Sequence, residues 1–385
     1  MIVSDTDSMT LTSGRTISIV TGANGYVGKQ IAHEILRSQN EDEKENLLCC
    51  LVRPRRMASE EEYWKEQSTN SCKVCVMPYD MTDGGRTLQQ VLENDALEKV
   101  KGPFRLHVYH VASVFGPTED HRKTALENVK GTKDVASTLA EWYLKQEPSL
   151  LLDAPRLIVT SSMAAVRATG QEPSNEQYYT HKDWNTLSEL GLNWGSSYQW
   201  SKAESERAAW QECQRYNQEH SQDVVIMTSL CPSFIFGPIV DATSSYSIQL
   251  VEQWMDGVSP VQSRLCVDVR DVAKAHVSAA HSLKAKNERY VCTSEERILS
   301  QEIAEALKHI LLTQGVPEKV NAVHCDLDFK GGFIPIGQRE VAAADRLKQD
   351  LGVICRPVAE TMADMAQSIL VARQKENKKE NPLVP

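Results

Sequence analysis

Three glycines, Gly22, Gly25 and Gly28, stand between a short apolar run and a segment with helical spacing, and this arrangement leaves few folds open. Ile17, Ile19 and Val20 make up the β-rich run, and Val27, Ile31 and Ile35 then recur at helix period. The pattern predicts strand, tight turn, helix. Glycine suits such a turn because it takes positive φ and lets a ligand come close to the free N–H groups and positive dipole end of the helix. Pyrophosphate is the natural partner of that geometry. Gly22, Asn24, Gly25, Tyr26, Val27 and Gly28 are therefore candidate dinucleotide-binding residues.

The rest of the chain repeats the alternation. Strand-like segments at 17–21, 47–53, 74–77, 106–112, 157–161 and 224–229 are separated by helical stretches at 27–38, 58–67, 86–99, 120–145 and 197–217. Six strands spaced by helices predict an α/β fold, a Rossmann-type doubly wound parallel sheet. After Phe234 strands become sparse, and helices are expected at 272–283, 300–312, 342–351 and 357–374. The expected organisation is a disordered polar tail at 1–14 and an NAD(P)-binding domain at 15–233 carrying a substrate-loop insertion at 165–196. A smaller, mostly helical C-terminal substrate lobe at 234–373 and a charged, disordered tail at 374–385 complete it. Open α/β sheets bind ligands beyond the carboxyl ends of their strands, so segments 114–118, 165–196 and 234–262 should line the substrate crevice.

Charge and cysteine content narrow the partners. A formal net charge of −10 disfavours sequence-independent binding to nucleic acid or to an anionic membrane surface. No apolar run is long enough for a membrane helix, and the N-terminus has neither secretory nor transit-peptide character, so a cytoplasmic protein is expected. Ten cysteines fall mostly in strand-like segments and read as reduced, buried thiols. Cys72 and Cys75 have metal-like spacing but no second pair, so no metal site is expected.

Four side chains could carry chemistry. Tyr198 and Lys202 are four apart on a predicted helix and share one face, where an ammonium can make a phenol proton transferable near neutral pH. Ser162 follows the fifth strand, where its hydroxyl can donate to a carbonyl oxygen, and the amide of Asn128 on the preceding helix could hold a water next to Lys202. Each has a plain alternative: an exposed helix pair, a helix cap, a solvated helix residue. Arg53, with Arg55 and Arg56, ends the second strand where an NAD site usually has a carboxylate for the ribose 2′-hydroxyl. A guanidinium there can grip a 2′-phosphate in a fork, which favours NADPH over NADH.

In combination, the glycine turn, Asn128, Ser162, Tyr198 and Lys202 resemble the extended short-chain dehydrogenase/reductase superfamily, the NAD-dependent epimerase/dehydratase family. His110–Ser113, Cys231–Pro238, Val267–His276 and Glu288–Cys292 resemble the branch of dihydroflavonol 4-reductases and cinnamoyl-CoA reductases. The resemblance implies Tyr198 as general acid, Lys202 as the residue that lowers its pKa and holds the nicotinamide ribose, Ser162 as carbonyl donor and Asn128 as proton-relay support. It also implies adenine contacts from Asp80 and Met81, a cofactor lining of Val111, Ala112 and Ser113, and Pro232 and Ser233 over the nicotinamide. The implied reaction is NADPH-dependent reduction of a ketone or aldehyde.

An NAD-dependent nucleotide-sugar epimerase or dehydratase, a 3β-hydroxysteroid dehydrogenase-like enzyme and a non-catalytic dinucleotide-sensing regulator are the alternatives. Cinnamoyl-CoA reductases carry Asn-Trp-Tyr-Cys-Tyr-Gly-Lys around the catalytic pair, whereas this chain has Gly195-Ser-Ser-Tyr198-Gln-Trp-Ser-Lys202, so thioester reduction does not carry over. Tyr178, Tyr179, His181, Trp184 and Trp194 form a candidate aromatic wall, while His110 and His276 are expected to be structural. Helices 120–145 and 197–217 offer a homodimer contact.

Overall fold

A computed structural model of the chain describes residues 14–39, 46–69, 71–94, 97, 102–176, 178–241, 245–260, 265–294, 298–314, 316–325 and 344–380. The strands are β1 (Thr16–Thr21), β2 (Asn46–Val52), β3 (Cys72–Pro78), β4 (Arg105–His110), β5 (Arg156–Thr160), β6 (Ile226–Pro232), β7 (Phe234–Phe236), β8 (Cys266–Asp268) and β9 (Arg289–Cys292). The helices are α1 (Tyr26–Ser38), α2 (Met57–Lys65), α3 (Arg86–Leu92), α4 (His121–Tyr143), α5 (Met163–Val166), α6 (Trp194–His220) and α7 (Tyr246–Met255). They continue with α8 (Val269–His281), α9 (Ser300–Thr313), α10 (Pro317–Val320), α11 (Ala344–Leu351) and α12 (Val358–Glu380).

Seven strands form one sheet in the order β3-β2-β1-β4-β5-β6-β9, every neighbouring pair parallel. Runs such as Leu47–Val52 are apolar on both faces because helices cover both sides of the sheet. On one side α4 and α6 lie along each other, packing Val135, Leu139, Ala209 and Cys213 against Ile19, Val108, Leu157 and Val159. On the other, Ile31 and Ile35 of α1 and Ala273 and Val277 of α8 meet Val20, Leu48, Ile158 and Leu230. Sequence order reverses direction between β1 and β4, the switch point at whose carboxyl ends open α/β sheets take their ligands.

The sheet has one strand more than the six expected. Arg289–Cys292 spans four residues and begins with an arginine, too short and too polar at its start for a period to show, yet it pairs with Ser229–Pro232. β6 also starts two residues later than expected and runs on to Pro232. Segment 234–373 therefore returns to the nucleotide-binding layers through α8 and β9. The remaining lobe gathers α7, α9 and α12 around Val251, Trp254, Leu307, Met362, Met365 and Ile369. α12 runs to Glu380, past the expected start of a tail at 374, and positions 1–13 and 381–385 lie outside the described residues.

Three consecutive contacts join α1 to the chain that enters this lobe. Tyr26 donates its hydroxyl to the Gly237 carbonyl at 2.6 Å, and Gln30 donates to Pro238 O at 2.9 Å. Lys29, fully buried, places Nζ 3.0 Å from Glu60 Oε1 and 2.5 Å from Asp241 Oδ2. Two carboxylates balance that ammonium, which would otherwise be costly to bury.

Candidate active site

The crevice is built from the β1–α1 turn. Gly22 has φ +69°, and a Cβ on it would come within 3.1 Å of Ala112 Cα. At Gly28 a Cβ would sit 2.3 Å from the Gly22 carbonyl oxygen, so the helix start can lie against the turn only with glycine there. Thr21 Oγ1 accepts from Val111 N at 3.0 Å and Ala112 N at 3.1 Å, tying the end of β1 to the segment after β4. Its proton goes to His110 Nδ1 at 3.0 Å. His110 Nε2 then donates to Thr132 Oγ1 at 3.2 Å, and Thr132 donates to Asn128 O at 3.0 Å. With each hydroxyl proton assigned once, the network fixes the Nε2–H tautomer.

Several candidate residues sit on this rim. Arg53 follows β2 and is exposed, and neither it nor Arg55 has a carboxylate partner among the described residues. Burial and the charges of Arg55 and Arg56 lower the Arg53 pKa, as expected for crowded cations lacking an anion. Asp80, after β3, accepts from Thr82 N at 2.8 Å and Thr82 Oγ1 at 2.7 Å, and these bonds hold its carboxyl below the usual range. Met81 packs against the core beside it. Pro232 ends β6, and the buried Ser233 hydroxyl has no hydrogen-bond partner among the described residues. A glycine cradle, unpaired guanidinium groups and an orphaned hydroxyl along one rim fit a phosphorylated dinucleotide. Tyr26 and Val27 would contribute main-chain groups, since the Tyr26 hydroxyl is bonded to Gly237 and Val27 packs between two cores.

Tyr198 and Lys202 lie in the second and third turns of α6, whose start is capped by Asn193 Oδ1 accepting from Ser196 N at 2.8 Å. Lys202 is buried and donates to Thr160 O at 3.1 Å and Ser113 Oγ at 3.2 Å. Ser162 caps α5, accepting from Ala164 N at 3.1 Å. Burial pushes the Tyr198 phenol up to about 12, against the influence of the neighbouring Ser162 hydroxyl, which lowers it. Lys202 is brought down to about 8 by burial, against the upward pull of Cys231 and Glu206. The structure thus unites Ser162, Tyr198, Lys202 and Ser113. It differs from expectation in one respect: the group that lowers the phenol is Ser162, while the ammonium is bonded to Ser113 and Thr160.

Asn128, expected as a water-holding amide, also braces the neighbouring loop. It is buried, its Oδ1 accepts from Val114 N at 2.9 Å, and its Nδ2 donates to Val114 O at 3.1 Å. Each end of the amide thus bonds the main chain of Val114, in the loop that carries Ser113 and Phe115. Of the proposed aromatic wall only Trp194 stands near the phenol. Trp184 packs under the Arg289 guanidinium at 3.9 Å, and the Tyr179 hydroxyl is bonded to Gln171 O. Tyr178 and His181 take no place among the rings near Tyr198. Phe115 lies 4.6 Å from the Tyr198 ring and 5.2 Å from Tyr246, with Trp194 and Phe234 each 6.3 Å away. Phe115, Phe234 and Tyr246 went unnamed in sequence because only the lining segments, not their rings, carry a pattern.

His110 and His276 are structural, as expected. His276 Nδ1 donates to Val272 O at 2.7 Å and Nε2 accepts from Thr160 Oγ1 at 2.8 Å. Burial lowers His276 to about 4, and burial with the nearby Lys202 lowers His110 to about 3. The unfolded chain binds protons at these histidines below about pH 6.5 while the folded chain does not. Stability from both is present above that pH and is lost as pH falls toward 3 to 4. A thermal-melt series should show Tm decreasing between pH 6.5 and 4.5, with the slope reduced in His276→Gln. All ten cysteines are free thiols.

The family model described as male sterility protein, an NAD-binding family, matches residues 20–227, more than half of the chain. The NADPH-dependent methylglyoxal reductase GRE2 of Saccharomyces cerevisiae is 24% identical over 381 residues, covering 91% of this chain and 97% of that protein. Cinnamoyl-CoA reductase 1 of Oryza sativa is 26% identical over 271 residues, covering 70% and 69%. Among solved structures, Gre2 in complex with NADPH from Candida albicans superposes with a TM-score of 0.72 at 22% identity, covering 93% of this chain and 99% of that one. Vestitone reductase from alfalfa gives 0.64 at 18%, covering 94% and 99%. No helix among the described residues is long and apolar enough to cross a membrane.

Proposed function

The chain belongs to the NAD-binding male sterility protein family of extended short-chain dehydrogenases/reductases, and from that premise we propose that it is an NADPH-dependent reductase of ketones or aldehydes. The observation that carries the reading is the grouping of Ser162, Tyr198 and Lys202 at the crevice edge. Bound NADPH supplies a hydride to the carbonyl carbon. Ser162 and Tyr198 orient the carbonyl oxygen, and the phenol delivers the proton that turns it into a hydroxyl. Lys202, an ammonium below about pH 8, stabilises the phenolate left behind. The glycine turn would hold the pyrophosphate, Arg53 the 2′-phosphate, Asp80 and Met81 the adenine, and Val111 to Ser113 with Pro232 and Ser233 the rest.

Comparing kcat/KM for NADPH and NADH tests the cofactor assignment. Arg53→Ala should weaken NADPH about 10- to 100-fold and leave NADH nearly unchanged, as expected when a charged hydrogen bond worth about 1.5–3 kcal/mol is lost. An NADH preference in the unaltered protein would overturn it.

The rings of Phe115, Trp194, Phe234 and Tyr246 beside the phenol favour a carbonyl compound with an apolar or planar body. In a substrate panel, phenylacetaldehyde should outperform methylglyoxal in kcat/KM, and Phe115→Ala should narrow the gap by raising KM. A cytoplasmic setting and a homodimer through α4 and α6 complete the reading. Exposed Lys123, Lys130 and Arg215 on those helices make such a contact polar, so sedimentation should detect a dimer that weakens with salt.

A further inference from the structure

A fully buried carboxylate lies beneath the crevice on the helix that carries the tyrosine and lysine. Glu206 is four residues beyond Lys202 and eight beyond Tyr198, on the same face of α6. Oε1 accepts from Ser229 Oγ at 2.6 Å and Arg289 Nε at 2.6 Å, and Oε2 from Ser161 Oγ at 2.6 Å and Arg289 Nη2 at 3.2 Å. Trp210 Nε1 and Cys231 Sγ approach at 3.3 Å and 3.6 Å. The same guanidinium donates from Nη1 to His181 O at 2.9 Å and Asp183 O at 2.5 Å, and stacks on Trp184. One side chain thus links β5, β6, β9, α6 and, through Arg289, the loop between α5 and α6.

Resting on the reductase reading above, we propose that Glu206 is the positioning residue of the catalytic group: it sets Ser162 through the adjoining Ser161 and keeps a fixed anion beneath Lys202. Ser161 joins the carboxylate to the end of β5, one residue before Ser162, and Glu206 shares a helix face with Lys202 and Tyr198. Cys231 on β6 is pushed up to about 12 by burial and is a neutral thiol at working pH, so it contributes no standing charge. His110 on β4 and His276 on α8 are held neutral, and Tyr198 on α6 is protonated. Arg289 on β9 is a cation. For Glu206, burial raises the pKa, but the Arg289 charge and hydrogen bonds, with those of Ser161 and Ser229, outweigh it and hold it below its usual value. Glu206 is therefore the lasting negative group in this set, and it offsets the desolvation that lowers Lys202.

The test follows Lys202 directly. Protein labelled with 13Cε-lysine is titrated by NMR, with the Lys202 resonance assigned by its loss in Lys202→Met. Glu206→Gln should move the Lys202 midpoint down by about 1 pH unit, and the alkaline limb of kcat should move with it, while Glu206→Asp should restore both. If Glu206→Gln does not fold, the double variant Glu206→Met/Arg289→Met replaces the pair with apolar side chains, and a downward shift smaller than about 1 pH unit is expected because the Arg289 cation is removed with the carboxylate. A midpoint unchanged in whichever of these variants folds would overturn the proposal. Absence of NADPH oxidation by the unaltered protein would count against the reductase reading alone, because the titration needs no turnover.

Discussion

Tyr198→Phe is expected to lower kcat by about 10²- to 10⁴-fold while leaving the NADPH dissociation constant within a few-fold, the loss typical of removing a positioned general acid. The substitution deletes one oxygen and keeps the ring. Phe115 at 4.6 Å still has its aromatic neighbour, so packing of the wall is retained. Ser162 keeps its cap on Ala164 N and Lys202 keeps Thr160 O and Ser113, so the frame for binding stands while the proton donor is gone. Stopped-flow NADPH oxidation and NADPH fluorescence titration separate the two quantities. Turnover within about threefold of the unaltered enzyme would assign the proton to another group.

Gly28→Ala should have the largest effect on binding. The added Cβ would lie 2.3 Å from the Gly22 oxygen and 2.8 Å from the Gly22 carbonyl carbon, both main-chain atoms, so relief requires the turn to shift or α1 to back away. Overpacking of this kind costs about 1–3 kcal/mol, and here it also displaces the N–H groups that would receive phosphate. The expected outcome is a lower Tm and an NADPH affinity reduced by about 100-fold. Gly25→Ala provides the contrast. Its nearest contact is the same oxygen at 3.2 Å and its φ is −91°, so a smaller loss is expected. Equal NADPH affinity in Gly28→Ala and the unaltered protein, measured by fluorescence titration, would remove the turn from the cofactor site.

Local pattern made much of this structure readable, and its limits are physical. β1, the glycine turn and α1 are encoded within about twenty consecutive residues, so spacing alone exposes them. The Tyr198–Lys202 pair is likewise local to one helix. β9 escaped because a four-residue strand has no measurable period and is defined by its partner β6 rather than by its own composition. The loop-bracing bonds of Asn128 were not legible because its amide answers to Val114, fourteen residues earlier, a relation no helical spacing encodes. Glu206 could have been noticed as the third polar member of the Tyr198 face. Its partners Ser161, just after β5, Ser229 in β6 and Arg289 in β9 are far apart in sequence, however, and only the fold brings them together.

The contacts of Tyr26, Gln30 and Lys29 with Gly237, Pro238 and Asp241 reach further than holding two halves together. They start in the first turn of the helix whose N-terminus faces the phosphate cradle. The first turn of α1 is thus also the anchor of the chain that leaves β7 for the helical lobe. A substitution that moved the glycine turn would therefore be felt at Gly237, Pro238 and Asp241, so the melting of that lobe should respond to Gly28→Ala although the two positions are far apart in sequence.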